Sequence, residues 1–348
     1  MAELTTIPAA DYEEIAIWRD PEADLTAAAA IHSTVRGPAI GGTRWLPYAD
    51  IDAAITDVRR LAEAMTLKSA TAQLPFGGGK AVVLGDPANK TEAQLRSYAE
   101  FVDHFEGRFL TTTDVGTTTA EVDRLSQWTP HVVGKSEALG GSGDTSALTA
   151  TTVLAGIAAT LEALDDDPGA DGRRIVVLGV GKVGARVARA LAEQGARLLL
   201  ADIRAIGAAT LAAELGAQTI SVDAVMTTPC DLLSPNALGG LLNQETIPYL
   251  QARSVCGAAN NQLERDPEDA KLLAEHGILY APDYVVNSGG VISVAQEVCG
   301  WSYEHAHAHA EAVYDTTREI FARAQARRVT PATAALEFAQ GQLSVASG

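Results

Sequence analysis

Lys68 and Lys80 are two of only six lysines in a chain of 348 residues that carries twenty arginines. Where a fixed positive charge suffices this chain mostly uses arginine, so lysine at two nearby positions invites an explanation that a guanidinium could not satisfy. A lysine amine can lose its proton when buried or set beside another cation, whereas arginine stays charged at any working pH. Lys80 ends the run PFGGGK, whose three glycines would let backbone pass close to a ligand. Lys68 ends an amphipathic segment carrying Met65. Such a pair could divide the labour, one ammonium holding a carboxylate and one amine of depressed pKa serving as general base. On composition alone, two solvated lysines would be the simpler account.

A second constellation is Gly179, Gly181 and Gly184 in GVGKVG, directly after a β-like run and opening a helical one, with Asp202 at the end of the next β-like run. The glycines permit a tight turn and close approach of backbone N–H groups to a pyrophosphate at the positive end of the helix. GxGxxG alone is weak, but strand, helix and a spaced acidic residue accompany it here, against the alternative of a structural glycine turn. Asp202 would accept from adenosine ribose hydroxyls and repel a 2′-phosphate, which favours NAD over NADP; Arg204 softens that preference.

The elements that must position these residues follow from periodicity. Glu14–Trp18, Thr26–His32, Ala81–Leu84 and Phe109–Thr113 read as strands, and Ile51, Ile55, Val58, Leu61 and Met65 recur at helical spacing. Thr91 and Gln94 form a capping box for a helix running toward Glu106. After a helical stretch from Ser146 to about Leu164 and the linker DDDPGADGRR come Ile175–Leu178, the glycine turn, a helix Val183–Glu193 and a strand Arg197–Leu200. Short β runs around Asp231–Leu233, Ser254–Cys256 and Ile278–Tyr280 alternate with helical segments, as in a parallel sheet covered on both faces. Helices at about Glu304–Ala326 and Pro331–Gln342 end the chain. The fold class is α/β: a mixed-sheet domain followed by a doubly wound, Rossmann-type dinucleotide-binding domain.

Composition excludes some partners. With 26 basic and 44 acidic side chains the formal net charge is −18, which argues against nucleic acid or an anionic membrane surface. The most apolar long stretch, Leu148 to Leu164, is interrupted by threonines and a glutamate, and the acidic N-terminus is unlike a signal peptide. Cys230, Cys256 and Cys299 form no CxxC pair, so neither disulfides nor zinc are indicated. His305, His307 and His309 lack supporting ligands and read as a solvated helix face, leaving no metal expected. Lys90, Lys135, Lys182 and Lys271 read as surface charges, with Lys182 placed near phosphate by its position in the glycine turn. A cytoplasmic location is expected.

Nine segments together resemble the NAD-dependent amino-acid dehydrogenases of the glutamate, leucine, phenylalanine and valine type, the likeness to valine and leucine dehydrogenases being greatest. They are GPAIGGTR (37–44), MTLKSA (65–70), GGGKAVV (77–83), TTDVGTT (112–118), GGSGDTSALTA (140–150), GVGKVG (179–184), SPNALGG (234–240), CGAANNQL (256–263) and YAPDYVVNSGGVI (280–292), in family order over nearly the whole chain. The resemblance implies that Lys68 holds the substrate α-carboxylate, with Gly41 and Gly42 nearby, that Lys80 is the acid/base, and that Asp114 assists proton transfer beside the nicotinamide. It implies cofactor contacts from Arg44, Ser146, Thr149, Ala237, Leu238, Ala258, Ala259 and Asn260, beside Gly179, Val180, Gly181, Lys182, Val183 and Gly184 of the turn and Asp202 and Arg204 after the next β-like run. Asn260 and Asn287 would also approach the substrate. Residues 1–138 with the C-terminal helix 326–348 would form the substrate domain and 139–325 the Rossmann domain, in a homo-oligomer.

The implied reaction is reversible NAD-dependent oxidative deamination of an L-amino acid to a 2-oxo acid and ammonia. Positions matching the side-chain pocket are Ile40, Met65, Thr112, Val133, Val291 and Val294, which include no cation to pair a side-chain carboxylate. Valine or leucine is therefore expected, an aromatic amino acid being the alternative and a catalytically silent NAD-binding protein a third reading. Thr112 stands where leucine enzymes carry alanine, and Ser288 replaces the alanine of NAGG.

Overall fold

The structure, a computed structural model, describes residues 1–237 and 239–346. Two compact units emerge: Met1–Asp144 with Ser293–Ser302 and Ala339–Gly348, and Thr145–Ile292 with Tyr303–Phe338. The first unit thus runs past the expected residue 138, because the loop there is tied back on itself and to Glu297: Gly143 N–H donates to Lys135 O, and Ser142 N–H to Glu297 Oε1. Of the expected C-terminal piece 326–348 only the part from Ala339 belongs to the first unit, where Arg36 donates to Gln342 O. Ala334, Ala335 and Phe338 lie instead in the core of the second.

The first unit is built on six strands, β1 (Glu3–Thr6), β2 (Glu14–Asp20), β3 (Leu25–Ser33), β4 (Ala39–Leu46), β5 (Gly77–Leu84) and β6 (Phe109–Thr113), in the order β1-β2-β3-β5-β4-β6. β1, β2, β3 and β5 pair antiparallel, while β4 lies parallel to both β5 and β6. The mixed sheet is the expected one, but β4 was not expected as a strand, since paired glycines interrupt its β-branched and aromatic residues. Its place between β5 and β6, hydrogen-bonded on both edges, overrides that weak local preference.

Helix α1 (Ile51–Thr71) opens with Asp50 accepting from Ala53 N–H. It buries Ala54, Val58, Leu61, Ala62, Thr66, Ser69 and Ala70, so Ile51, Ile55 and Met65 of the expected apolar face lie at its flank. The small side chains let the helix approach the sheet, and they form one core layer with Ile15, Ile17, Ala28, Ala30 and Val82. The opposite face carries an aromatic core of Trp45, Tyr98, Phe101, Phe105 and Phe109 under α2 (Glu92–Asp103), whose Thr91/Gln94 capping box is formed. A short α3 (Thr119–Leu125) begins with a second box, Thr118/Glu121.

The second unit opens with α4 (Ser146–Asp165) and continues β7 (Arg174–Leu178), α5 (Lys182–Glu193), β8 (Arg197–Ala201), α6 (Ala205–Leu215), β9 (Gln218–Thr219), β10 (Cys230–Pro235), β11 (Ala252–Val255), α7 (Glu268–Glu275), β12 (Leu279–Tyr280) and α8 (Asp283–Val286). Every strand pair is parallel, in the order β12-β11-β10-β7-β8-β9. This doubly wound order reverses between β7 and β10, the position at which such sheets bind ligands beyond their carboxyl ends. Ile175 and Val177 enter the core layer holding α4 and α5, and Val176 and Leu178 enter the layer holding α7. α9 (Gly289–Cys299) and α12 (Pro331–Ala346) have residues in both units, and the single helix expected over 304–326 is two, α10 (Tyr303–Glu311) and α11 (Val313–Arg327).

Among the described residues only α4 is long and apolar enough to cross a bilayer, its threonines notwithstanding. Half of its apolar stretch is buried, and Val153, Ile157 and Leu161 sit in the core beside β7.

Candidate active site

In the first unit the site grows from three adjacent strands, β5, β4 and β6. Lys80 stands in the middle of β5 on the same side as Val82, the side covered by α1. Asp114 follows the last residue of β6 and forms an ion pair with the Lys80 Nζ through Oδ2. β4 lies between them, and its registers with β5 (Ile40 with Gly78, Thr43 with Ala81) bring Gly42 level with Lys80, while Gly42 itself pairs with Thr112 of β6. A Cβ on Gly42 would stand 2.8 Å from the Asp114 Cβ and 2.4 Å from the Thr113 carbonyl oxygen. The ion pair therefore closes over Gly42, the glycine of β4 on the Lys80 side of the sheet.

Arg44, on the same side of β4, donates from Nε to Asp114 Oδ2 at 3.1 Å and from a terminal nitrogen to Asp57 Oδ2 of α1 at 3.1 Å. Tyr48 donates its hydroxyl to the same Asp57 oxygen at 2.7 Å. The other Asp114 oxygen accepts from Val115 N–H, and Thr117 Oγ1 accepts from Asp114 N–H. Burial pushes the Asp114 carboxyl up, but Lys80 and Arg44 outweigh it and hold the pKa at about 2. For Lys80 burial lowers the pKa below its ordinary value and Arg44 adds to that, against the opposing pull of Asp114. An amine that can be neutral beside a carboxylate that stays ionised suits proton transfer to and from a bound group.

The glycine run before Lys80 has a use within the fold. The glycines are inside β5, and a Cβ on Gly78 would stand 2.1 Å from the Thr66 backbone nitrogen of α1. The run lets the helix bearing Met65 and Lys68 press onto the strand bearing Lys80. Both residues are half-buried, one turn apart. Ile40 is fully buried on the Lys80 side of β4, with Thr112 on β6 level with Gly42, whereas Gly41 faces the other way. Val133 and Val294 are buried in this unit as well.

Two residues that fix this geometry escaped sequence reasoning. Lys90 is not a surface charge: its side chain is 5% exposed, pairs with Glu121 Oε1 at 2.6 Å, donates to Gly116 O and lies over the Trp45 ring. It thereby clamps the turn that follows Asp114. Glu297 Oε1 accepts from the N–H groups of Gly134 and Ser142 and from the Ser142 hydroxyl, pinning the chain beyond Val133. The capping position of Glu121 was a usable signal for Lys90; nothing local marks Glu297.

In the second unit the glycine turn joins β7 to α5 at the reversal of strand order. Gly179 has φ +90°, and a Cβ on Gly184 would stand 1.9 Å from the Gly179 oxygen, so α5 packs tightly on the turn. Gly181 caps α5 with no side chain, and nothing lies within 4 Å of its Cβ direction. Asp202, at the end of β8, accepts from Val180 N–H and Arg204 N–H, both at 2.8 Å, and although burial raises its pKa these N–H groups bring it below the ordinary value. Lys182 and Arg204 are exposed, and Val180 and Val183 half-buried. The open helix N-terminus and the spaced carboxylate fit a dinucleotide's pyrophosphate and ribose.

Ala237 lies against Gly179, while Leu238 is outside the described residues. Asn236, not foreseen, accepts from Ala258 N–H and so ties the loop after β10 to the loop after β11. Asn287 is buried and donates to Asn260 Oδ1 at 2.8 Å; its own Oδ1 has no hydrogen-bond partner among the described residues, which leaves an acceptor for a ligand. Ala259 donates to Pro235 O. Ser146 is buried and accepts from Arg186 Nε, and Thr149 donates to Thr145 O. The Ser288 hydroxyl is satisfied by Val285 O. Val291 is buried in this unit. Cys256 is buried, its thiol pushed up to about 12 by burial, as suits an apolar packing residue.

Known proteins agree with this architecture. Residues 15–131 match the Glu/Leu/Phe/Val dehydrogenase dimerisation domain, and residues 200–347 match the glutamate/leucine/phenylalanine/valine dehydrogenase domain. The chain is 42% identical to a valine dehydrogenase of Streptomyces virginiae, over 96% of this chain and 94% of that one. It is 41% identical to a leucine dehydrogenase of Geobacillus stearothermophilus, over 96% and 91% respectively. The crystal structure of L-tryptophan dehydrogenase from Nostoc punctiforme superposes with a TM-score of 0.86 at 38% identity, covering 97% of each chain. With NAD the cofactor of that family and a dinucleotide turn in place to hold it, this chain is an amino-acid dehydrogenase of the Glu/Leu/Phe/Val dehydrogenase family.

Proposed function

We propose that the chain catalyses the reversible oxidative deamination of L-valine or L-leucine, with Lys80 as acid/base, Asp114 as its partner and Lys68 as the anchor of the substrate α-carboxylate. The observation that carries the reading is the ion pair between the buried Lys80 and Asp114 closing over Gly42. When bound, NAD accepts the hydride released from the substrate α-carbon. Lys80, as the neutral amine, takes a proton from water as the water oxygen bonds to the iminium carbon. The resulting Lys80 ammonium then gives that proton to the carbinolamine nitrogen, and as the C–N bond breaks the neutral Lys80 amine takes the hydroxyl proton, releasing ammonia and the 2-oxo acid and leaving Lys80 to lose its proton to solvent. Asp114 stays ionised and holds Nζ in place through these transfers, and Lys68 supplies a positive charge for the carboxylate. Positioned proton transfer of this kind contributes about 10²–10⁴-fold.

A branched aliphatic substrate is supported by the residues assigned to its side chain. Ile40, Val133, Val291 and Val294 are all buried and aliphatic, and none of Ile40, Met65, Thr112, Val133, Val291 and Val294 could pair a side-chain carboxylate. An aromatic substrate is the second reading, favoured by the likeness to the Nostoc L-tryptophan dehydrogenase. A methylene changes binding by only about 1–3 kcal/mol, so initial rates of NADH formation on L-valine, L-leucine, L-isoleucine, L-phenylalanine and L-tryptophan decide between them. Fastest turnover of an aromatic substrate would reverse the assignment.

The remaining contacts belong to the same proposal. Asp202 receives the adenosine ribose and prefers NAD, with Gly179, Val180, Gly181, Lys182, Val183 and Gly184 at the pyrophosphate. Arg44, Ser146, Thr149, Ala237, Ala258, Ala259 and Asn260 approach the cofactor, and Asn260 and Asn287 the substrate. The first unit is then the substrate domain and the second the Rossmann domain, in a cytoplasmic homo-oligomer, a state supported by the match to a dimerisation domain.

A further inference from the structure

We propose that Asp57 is a positioning residue for the acid/base pair, holding the Arg44 guanidinium so that Nε donates to the same Asp114 oxygen that Lys80 engages. The inference rests on the reading of Lys80 and Asp114 given above. Asp57 projects from α1, Arg44 from β4 and Asp114 from the end of β6, so a single guanidinium joins three elements. All three side chains are at most one-fifth exposed. Arginine is suited to this because its donors sit in a rigid planar fork: one edge engaged by Asp57 fixes the direction of the other. Without Asp57 the long side chain of Arg44 would keep one anchor and could rotate about it. Asp114 Oδ2, the oxygen that meets Lys80 Nζ, would then be less firmly held, with Val115 N–H on the other oxygen as the carboxylate's remaining fixed donor.

Asp57 is itself held. Tyr48 donates to Oδ2 at 2.7 Å, and the more exposed Arg60 reaches Oδ1 at 3.4 Å from the next turn of α1. The charged and titratable groups around the network are Arg44 and Tyr48 from β4 and the turn after it, Arg60 on the same helix as Asp57, Lys80 on β5 and Asp114 beyond β6. Asp57 therefore also balances the Arg44 charge that bears on Lys80. Removing it leaves more uncompensated positive charge beside Lys80, which disfavours the ammonium form.

The test compares wild type with Asp57→Asn and, as a smaller change, Tyr48→Phe, reading kcat, the pH profile of kcat/KM for deamination of L-valine, and thermal stability. Small displacements of a reacting group can cost up to about 10²-fold. Asp57→Asn should accordingly lower kcat by about 10–100-fold, and the acidic limb of the profile should move to lower pH. Tyr48→Phe should lower kcat by a smaller factor and leave the limb in place, since it removes no charge. Asp57→Glu should recover part of the lost rate. An Asp57→Asn enzyme with kcat within about twofold of wild type, or with its acidic limb unmoved, overturns the proposal. If Asp57→Asn does not fold, an unchanged kcat in both Tyr48→Phe and Asp57→Glu overturns it. Full turnover by Lys80→Ala would instead defeat the parent reading, so the two failures are distinct.

Discussion

Lys80 and Asp114 are ion-paired although their strands are not neighbours: β4 separates β5 from β6, and the pair closes across it at Gly42. A side chain at that point would occupy the space in which the two groups meet. The identity of residue 42 is thus as much a part of the proton-transfer geometry as the ionisable pair.

Gly42→Ala should separate the pair. Its Cβ would overlap Thr113 O and the Asp114 Cβ, so β6 or the Asp114 side chain must move. Steady-state kinetics should show kcat reduced by about 10²-fold, while NADH binding followed by fluorescence changes little. A wild-type kcat would mean that the pair does not depend on this opening.

Gly78→Ala should act on stability. The added methyl would meet the Thr66 backbone of α1, which cannot yield as a flexible side chain can, and the overpacking should cost about 1–3 kcal/mol or more in chemical denaturation. An unchanged midpoint would show that α1 moves freely over β5.

The pH dependence has a definite sign. In the proposed mechanism Lys80 must be neutral to take the water proton, so deamination should fall as pH drops through its pKa, which lies below the ordinary lysine value because burial and Arg44 lower it against Asp114. Asp114→Asn removes the opposing anion, and the acidic limb of the residual kcat/KM profile should move down by about one pH unit or more. A limb moving up would contradict the assigned roles.

Asp202→Gly should relax cofactor choice. The carboxylate accepts from Val180 and Arg204 N–H groups, and the proposed cofactor site puts a ribose 2′ substituent beside it. Because like charges brought together at a binding site cost several kcal/mol, the ratio of NADPH to NADH kcat/KM should rise by about tenfold or more. An unchanged ratio would remove Asp202 from cofactor selection.

Much of this was legible in the sequence where local signals and chemistry agree. The strand–glycine turn–helix unit, the Thr91/Gln94 box and β6 lie where periodicity places them, within a residue or two. What stayed hidden depends on contacts between distant segments. β4 looks broken by its glycines until its two neighbours are known, and nothing in GGGK shows that α1 presses onto Gly78. Lys90 looked like one more surface charge, because nothing near it in sequence shows that Trp45, Gly116 and Glu121 converge on it. Arg44 likewise discloses neither Asp57 nor Asp114, each on a different element.

The most direct test of the central claim is turnover of L-valine by Lys80→Ala, with NADH binding measured on the same preparation. Turnover should fall by at least about 10²–10³-fold with NADH affinity nearly intact, because the amine proposed to move the proton is gone while the turn from Gly179 to Gly184 is untouched. Turnover near that of the wild type would contradict it.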